Sequence, residues 1–185
     1  MSRSLLIVAA TALLSPLPAL AQSGPASAAG AASATIVAPI AVRQIADLDF
    51  GVIAASSGQA GSVTILPGVA AARYGGSAQQ ACTAGGECPA PHFASFEVTG
   101  EANRSYTIAA PTSVVLSSEP AGAAAPTLRV EAIGLRSASR PDAGPAGLLD
   151  PSGRDRFDLG GTLRLSGEMA PARYRVSIPV IVTYS

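Results

Sequence analysis

From Tyr174 to Tyr184 apolar residues occupy every second position: Tyr174, Val176, Ile178, Val180, Val182 and Tyr184. A period of two places all six on one face of a β-strand, because successive side chains of an extended chain point to opposite faces. On a helix the same residues would be spread around the axis. Shorter alternations recur upstream. Ala34, Ile36, Ala38, Ile40 and Val42 suggest a first strand, and Val63 with Ile65 another. Ala94, Phe96 and Val98 follow, then Tyr106, Ile108 and Ala110, then Leu128, Val130 and Ala132 with Arg129 and Glu131 facing outward. Short apolar runs over 48–53, 71–74 and 114–116 add candidates, and 157–165 reads as a strand interrupted by Gly160-Gly161, as at a bulge or bend. Gly- and Pro-rich stretches over 75–91 and 137–156 read as loops. Alanine is abundant, yet no window carries a long helical stripe. The pattern predicts an all-β fold, an immunoglobulin-like β-sandwich of Greek-key type, with few or no helices in the mature chain.

The other end of the chain reads differently. Residues 1–21 carry Arg3, an apolar run over 5–14 and small residues at Ala19 and Ala21, which meet the A-x-A cleavage rule of an export signal. The mature chain is expected to begin at Gln22. The apolar run, of about ten residues, falls short of the ~20 that span a bilayer as a helix. Gln22 stands where a lipoprotein would have cysteine. The expected location is the periplasm, the cell surface or the medium. Residues 22–33, almost entirely Ala, Gly, Ser and Pro, are expected to form a flexible arm, leaving 34–185 as a single sandwich domain.

The chain has 12 basic residues, all arginine, and 12 acidic ones. With Arg3 removed, 11 arginines face 12 acids, a net charge of −1. That balance attracts neither nucleic acid nor an anionic membrane, and scattered arginines form no basic, aromatic-rich platform. The lack of lysine excludes lysine Schiff bases, Ser-x-x-Lys nucleophiles, a Walker A lysine and lysine–asparagine isopeptide staples. No tryptophan and 4% aromatics weigh against a membrane barrel with aromatic girdles. Cys82 and Cys88 are the two cysteines, and an oxidising compartment makes a disulfide between them the expected state.

Little in the chain points to catalysis. His92 is the one histidine, and no serine lies in a G-x-S-x-G elbow. Asp47 and Asp49 share a strand face but read as solvent-facing carboxylates rather than a glycosidase pair, which needs a set separation across a cleft. The stretch from Asp150 to Asp158 has oxygen ligands at spacings resembling a calcium loop, without the terminal bidentate glutamate; it reads as a Pro-Ser-Gly turn with surface ion pairs. Gly75-Gly76 and Gly85-Gly86 open no helix and are not phosphate loops. No catalytic residue, cofactor, metal or small-molecule substrate is expected, and the chain is read as no enzyme.

Four segments in order, Ala34-Thr35-Ile36-Val37-Ala38-Pro39-Ile40, Leu48-Asp49-Phe50-Gly51, Gly160-Gly161-Thr162-Leu163 and the strand from Tyr174 to Tyr184, resemble the bacterial secreted domain-of-unknown-function 4402 family. That family is similar in style to fimbrial, chaperone–usher and spore-coat-U subunits. The resemblance implies an immunoglobulin-like subunit and no catalytic residues. It implies that Ile36, Ala38, Ile40 and Val42 form a candidate assembly strand filling a neighbour's groove. It also implies that the alternating C-terminal strand, with Tyr184 next to last, is what a periplasmic chaperone holds. Pro39 and Pro179 each remove a ladder donor, which favours edge positions. The expected function is a non-enzymatic structural subunit of a fimbrial-like or cell-surface assembly. The alternative is a monomeric periplasmic or secreted module that binds a glycan or protein through its loops.

Overall fold

A computed structural model describes residues 28–81, 89–119, 127–167 and 171–185. Among them no helix occurs, and every strand pairing is antiparallel. The strands are β1 (Ala41–Ala46), β2 (Ile53–Ala54), β3 (Gly61–Ile65), β4 (Arg73–Gly76), β5 (Gln79–Gln80), β6 (Ala94–Thr99) and β7 (Ser105–Ala109). They continue with β8 (Val114–Glu119), β9 (Leu128–Ser137), β10 (Ala146–Leu148), β11 (Arg154–Leu165), β12 (Arg173–Arg175) and β13 (Ile181–Tyr184). The fold is all-β. Eight strands form one sheet, ordered β1-β6-β11-β9-β8-β12 with β3 on β11 and β4 on β3; β10-β7-β13 form a second sheet and β2-β5 a third. Residues 28–35 carry no strand and are exposed. The expected export signal over 1–21, the start of the expected arm, and Cys82 and Cys88 lie outside the described residues.

The large sheet is organised by β11. Its first half pairs with β6, up to Leu159 against Ala94, and its second half with β3, from Gly161 against Ile65. β9 runs along its other side. The change of partner falls at Gly160-Gly161. A Cβ on Gly160 would lie 2.3 Å from the Ile65 carbonyl oxygen, and one on Gly161 2.8 Å from Val130 Cγ1. Only glycine lets the neighbouring chain come this close. Across from the pair, β9 carries a bulge between the Gly160↔Gly134 and Thr162↔Glu131 pairings. Ala132 sits in it at φ +50°, the left-handed conformation common to the first residue of one bulge type. The extra residue reverses side-chain parity along β9. The expected face of Leu128, Val130 and Ala132 therefore ends at Val130; Ala132 is exposed and Ile133 packs inward.

Two apolar cores result. In the first, Val63 and Ile65 of β3, Leu116 of β8, Leu128 and Val130 of β9, and Leu163 and Leu165 of β11 enclose Phe50 and Ala78. In the second, Val98 of β6 and Phe157 of β11 meet Tyr106 and Ile108 of β7 and Leu149, so the three-stranded sheet packs on the eight-stranded one. Phe96 lies directly opposite Phe157, with ring centroids 4.8 Å apart. Each such side chain contributes about 1.5–3 kcal/mol on burial. The fully buried Tyr106 also ties the sheets: its hydroxyl donates to the Asp155 carboxylate at 2.8 Å. Burial, then that hydrogen bond and the carboxylate's charge, raise the pKa of the phenol. Gly147 makes room for the ring, since a Cβ there would stand 2.2 Å from Tyr106 Cζ.

Further expectations need correction, and one is the loop over 75–91, which holds the end of β4 and all of β5. The first strand starts at Ala41, against Thr99 of β6, and not at Ala34, because Pro39 has no N–H to donate and restricts the backbone of Ala38. The final strand is two strands in two sheets, β12 against β8 and β13 against β7, with residues 176–180 unpaired around Pro179. The loop over 137–156 contains β10 and the start of β11; β10 is too short for its sequence to alternate. Replacing Gly160 by alanine is expected to lower stability by about 1–3 kcal/mol through overpacking against backbone. Gly134→Ala, whose Cβ would meet Pro67 Cγ at an ordinary 3.8 Å, should cost clearly less; urea denaturation of both variants checks this.

Candidate functional site

The C-terminal residues singled out by their alternation separate into two groups. Val180, Val182 and Tyr184 pack against the second core. Tyr174 packs against the first core from β12, Ile178 is half-buried, and Val176 is 40% exposed. The Ser185 N–H donates to the Ser105 carbonyl at 3.1 Å, and Thr183 and Ile181 lie opposite Thr107 and Ala109. In an antiparallel pair hydrogen-bonded and non-bonded positions alternate, so the backbone groups of Val182 and Tyr184 turn away from β7. Among the described residues no strand pairs with β13 on that side.

The segment entering β1 meets this region. Ile40 packs on the second core beside Val180 and Val182. The Tyr184 hydroxyl donates to the Ala38 carbonyl at 2.7 Å and accepts the Glu101 N–H at 2.7 Å. Arg104 lies over the tyrosine ring, 4.8 Å from its centroid, and pairs with Glu101 at 2.7 Å. Gly100 leaves space for the hydroxyl, which a Cβ there would approach to 2.3 Å. Of the candidate assembly residues Ile36, Ala38, Ile40 and Val42, only Ile40 is packed on a core; Ile36 is 95% and Val42 40% exposed. Glu101 and Arg104 carry no sequence signal for this role, being far from Tyr184 in the chain.

Exposed large apolar side chains collect in the two terminal segments. Ile36, Val37, Val42, Ile45, Val176 and Ile181 are six of the ten among the described residues. Edge strand β1 carries a bulge at Gln44/Ala46 and a cross-strand pair between Arg43 and Glu97 at 2.8 Å, both of which discourage indiscriminate edge pairing.

The acidic candidates serve turns. Asp47 accepts from the Gln44 side-chain amide. Asp49 accepts the Gly51 N–H at 2.7 Å, and Gly51 has φ +72°. His92 pairs with Asp49 through backbone hydrogen bonds of 2.8 and 2.9 Å. The run Leu48-Asp49-Phe50-Gly51 is thus a closed turn that delivers Phe50 to the first core. In the hairpin before β11, Asp150 Oδ1 accepts the Ser152 N–H at 2.8 Å, its hydroxyl at 2.6 Å and the Arg154 N–H at 3.0 Å. Beside it lies an open groove of about 440 Å³ lined by Glu97, Ser139, Leu148, Asp150, Arg154 and Asp155, among others. The Ser139 hydroxyl bonds Asp155, and the buried Ser137 hydroxyl donates to the Ala146 carbonyl at 2.8 Å, shaping the loop above. Among the described residues no three His, Cys, Asp or Glu side chains are placed to hold a metal ion.

A family model described as a domain of unknown function, DUF4402, matches residues 40–184. The chain belongs to the DUF4402 family. The DUF4402 match opens at Ile40, which packs on the second core, and closes at Tyr184. It takes in the Asp49 turn and the Gly160-Gly161 bend, while Ile36 and Ala38 precede it. No curated protein and no solved structure matches this DUF4402 chain.

Hydrogen bonds, the Ser152 hydroxyl foremost, hold Asp150 below the usual carboxylate range, and the Arg43 hydrogen bond does the same for Glu97. Folded values below the unfolded ones give stability that is complete above the ordinary carboxylate range of about 3.9–4.3 and is lost as pH falls through the lowered folded values. The urea midpoint is expected to stay level from about pH 7 to 5 and to fall below about pH 4. Asp150→Asn should make that acid decline shallower; a pH series of denaturation curves checks both.

Proposed function

We propose that this protein is an exported, non-enzymatic structural subunit of a fimbrial-like or cell-surface assembly, built on an immunoglobulin-like sandwich. The observation that carries the reading is the gathering of exposed apolar side chains at the terminal segments, with Ile36 at 95% and Ile181 at 63% exposure. Apolar surface gathered in this way marks an interaction site. Strand addition at a sheet edge is the mode it favours, main-chain groups giving affinity and alternate side chains specificity. The side of β13 that no described strand pairs with offers the main-chain groups of Val182 and Tyr184, and the segment bearing Ile36, Ala38, Ile40 and Val42 offers an extended apolar partner. Export through the segment at residues 1–21 puts assembly in the periplasm or beyond it. A periplasmic chaperone that covers the C-terminal strand before assembly is the accompanying partner.

The groove beside Asp155 favours a second reading, a monomeric module that binds a glycan or protein through the 137–156 loop. Mass in solution separates the two. Light scattering on the chain from Gln22 is expected to show multimers, and on a chain from Ala38 monomers, since the shorter form keeps Ile40 and β1 but loses Ile36. Monomers from both would remove the assembly reading and leave the binding module.

A further inference from the structure

Residues 36–40 belong to no strand. They are fixed by the Ile40 side chain on the second core and by the Tyr184 hydroxyl on the Ala38 carbonyl at 2.7 Å. That hydroxyl is itself held. It accepts the Glu101 N–H at 2.7 Å, its ring lies under Arg104, and it sits where a Cβ on Gly100 would come within 2.3 Å of it. A side chain on the last strand therefore determines where the segment ahead of the first strand rests. Among the described residues nothing pairs with the side of this strand that carries the outward backbone groups of Val182 and Tyr184, and Ile181 is exposed beside them.

We propose that the Tyr184 hydroxyl is a latch that keeps residues 36–40 on their own chain, and that unlatching delivers this segment to the free side of β13 in a second copy. The occupant follows from the position of the segment. Val37 and Ile36 are the exposed apolar residues next to the latch, and residues 28–35, which precede them in the chain, carry no strand of their own. The latch stands on the geometry alone; the docking of a second copy rests on the assembly reading above.

Two substitutions break the latch by different routes. Tyr184→Phe removes the hydroxyl while keeping the ring on the core and under Arg104. Gly100→Ala keeps the hydroxyl and places a methyl where it sits. Backbone ¹⁵N relaxation on the mature chain and on both variants, diluted until sedimentation shows monomers, reads the release before any second copy can take up the segment. Val37, Ala38 and Ile40, which carry the N–H groups that Pro39 lacks, are expected to show order parameters near the rigid value of about 0.85 in the parent and below about 0.6 in both variants, with residues 105–109 and 181–183 unchanged. Rigid 37–40 in Tyr184→Phe would overturn the latch. A loosening that extends to 105–109 and 181–183 would overturn it too, because that is loss of the sheet rather than release of the segment.

Sedimentation of the same samples tests the destination. The multimeric fraction at fixed concentration is expected to rise by about 2- to 10-fold in both variants, the factor one net hydrogen bond confers. A released segment in a chain that stays monomeric would uphold the latch and overturn the docking of a second copy, and with it the assembly reading.

Discussion

The approach of the Ile65 carbonyl to Gly160 is the constraint on which the two-core arrangement depends. β11 has to serve β6 with its first half and β3 with its second, and the exchange requires a backbone position with no side chain between the incoming and outgoing partners. Phe157, on one side of the exchange, packs with β7; Leu163, on the other, packs with β3, β8 and β9. The bulge in β9 is the counterpart of the same event. An extra residue on the neighbouring strand lets β9 follow the bend while Leu128 and Val130 still face one core and Leu135 the other.

Polar chemistry follows that frame. Glu97 is flanked in register by Arg43 of β1 and Arg156 of β11, so the edge strand is joined to the sheet by alternating charge as well as by backbone. Exposed pairs of this kind add little stability singly; their effect is to fix register where β1 buries almost nothing. The carboxylates of Asp49, Asp150 and Asp155 each answer a backbone or hydroxyl donor close by. These acids shape turns and join sheets, and that is why they lie near glycines with positive φ such as Gly51 and Gly153.

Strand identity was legible wherever one face is buried. Val63 with Ile65, Tyr106 with Ile108, and Phe157 with Leu159 alternate in sequence and are buried as their spacing implies. The glycine pair was legible as a bend because two glycines inside an apolar strand have few other uses. What the sequence hid was of two kinds. Boundaries shifted where proline withdrew a donor, at Pro39 and Pro179, since periodicity records faces and not hydrogen bonds. Long-range polar partners were invisible for a different reason. Nothing local marks Gly100, Glu101 and Arg104 as the setting for Tyr184, or Asp155 as the acceptor for Tyr106. Ala132 misled because a bulge reverses parity without changing composition.

The pairing of β13 with β7 has a consequence in time. Tyr106 and Ile108 are made early, yet the strand that covers their sheet edge, Ile181–Tyr184, comes after every other strand of the fold. The second core therefore cannot close until Ile181–Tyr184 has emerged, whereas β3, β8, β9 and β11, which line the first core, are all available by Leu165. Long-range closures of this kind are slow because chain entropy opposes them until the contacts form. During that interval Val98, Tyr106, Ile108 and Phe157 lack the cover of Val180, Val182 and Tyr184, and the half-built chain presents an apolar face of its own making.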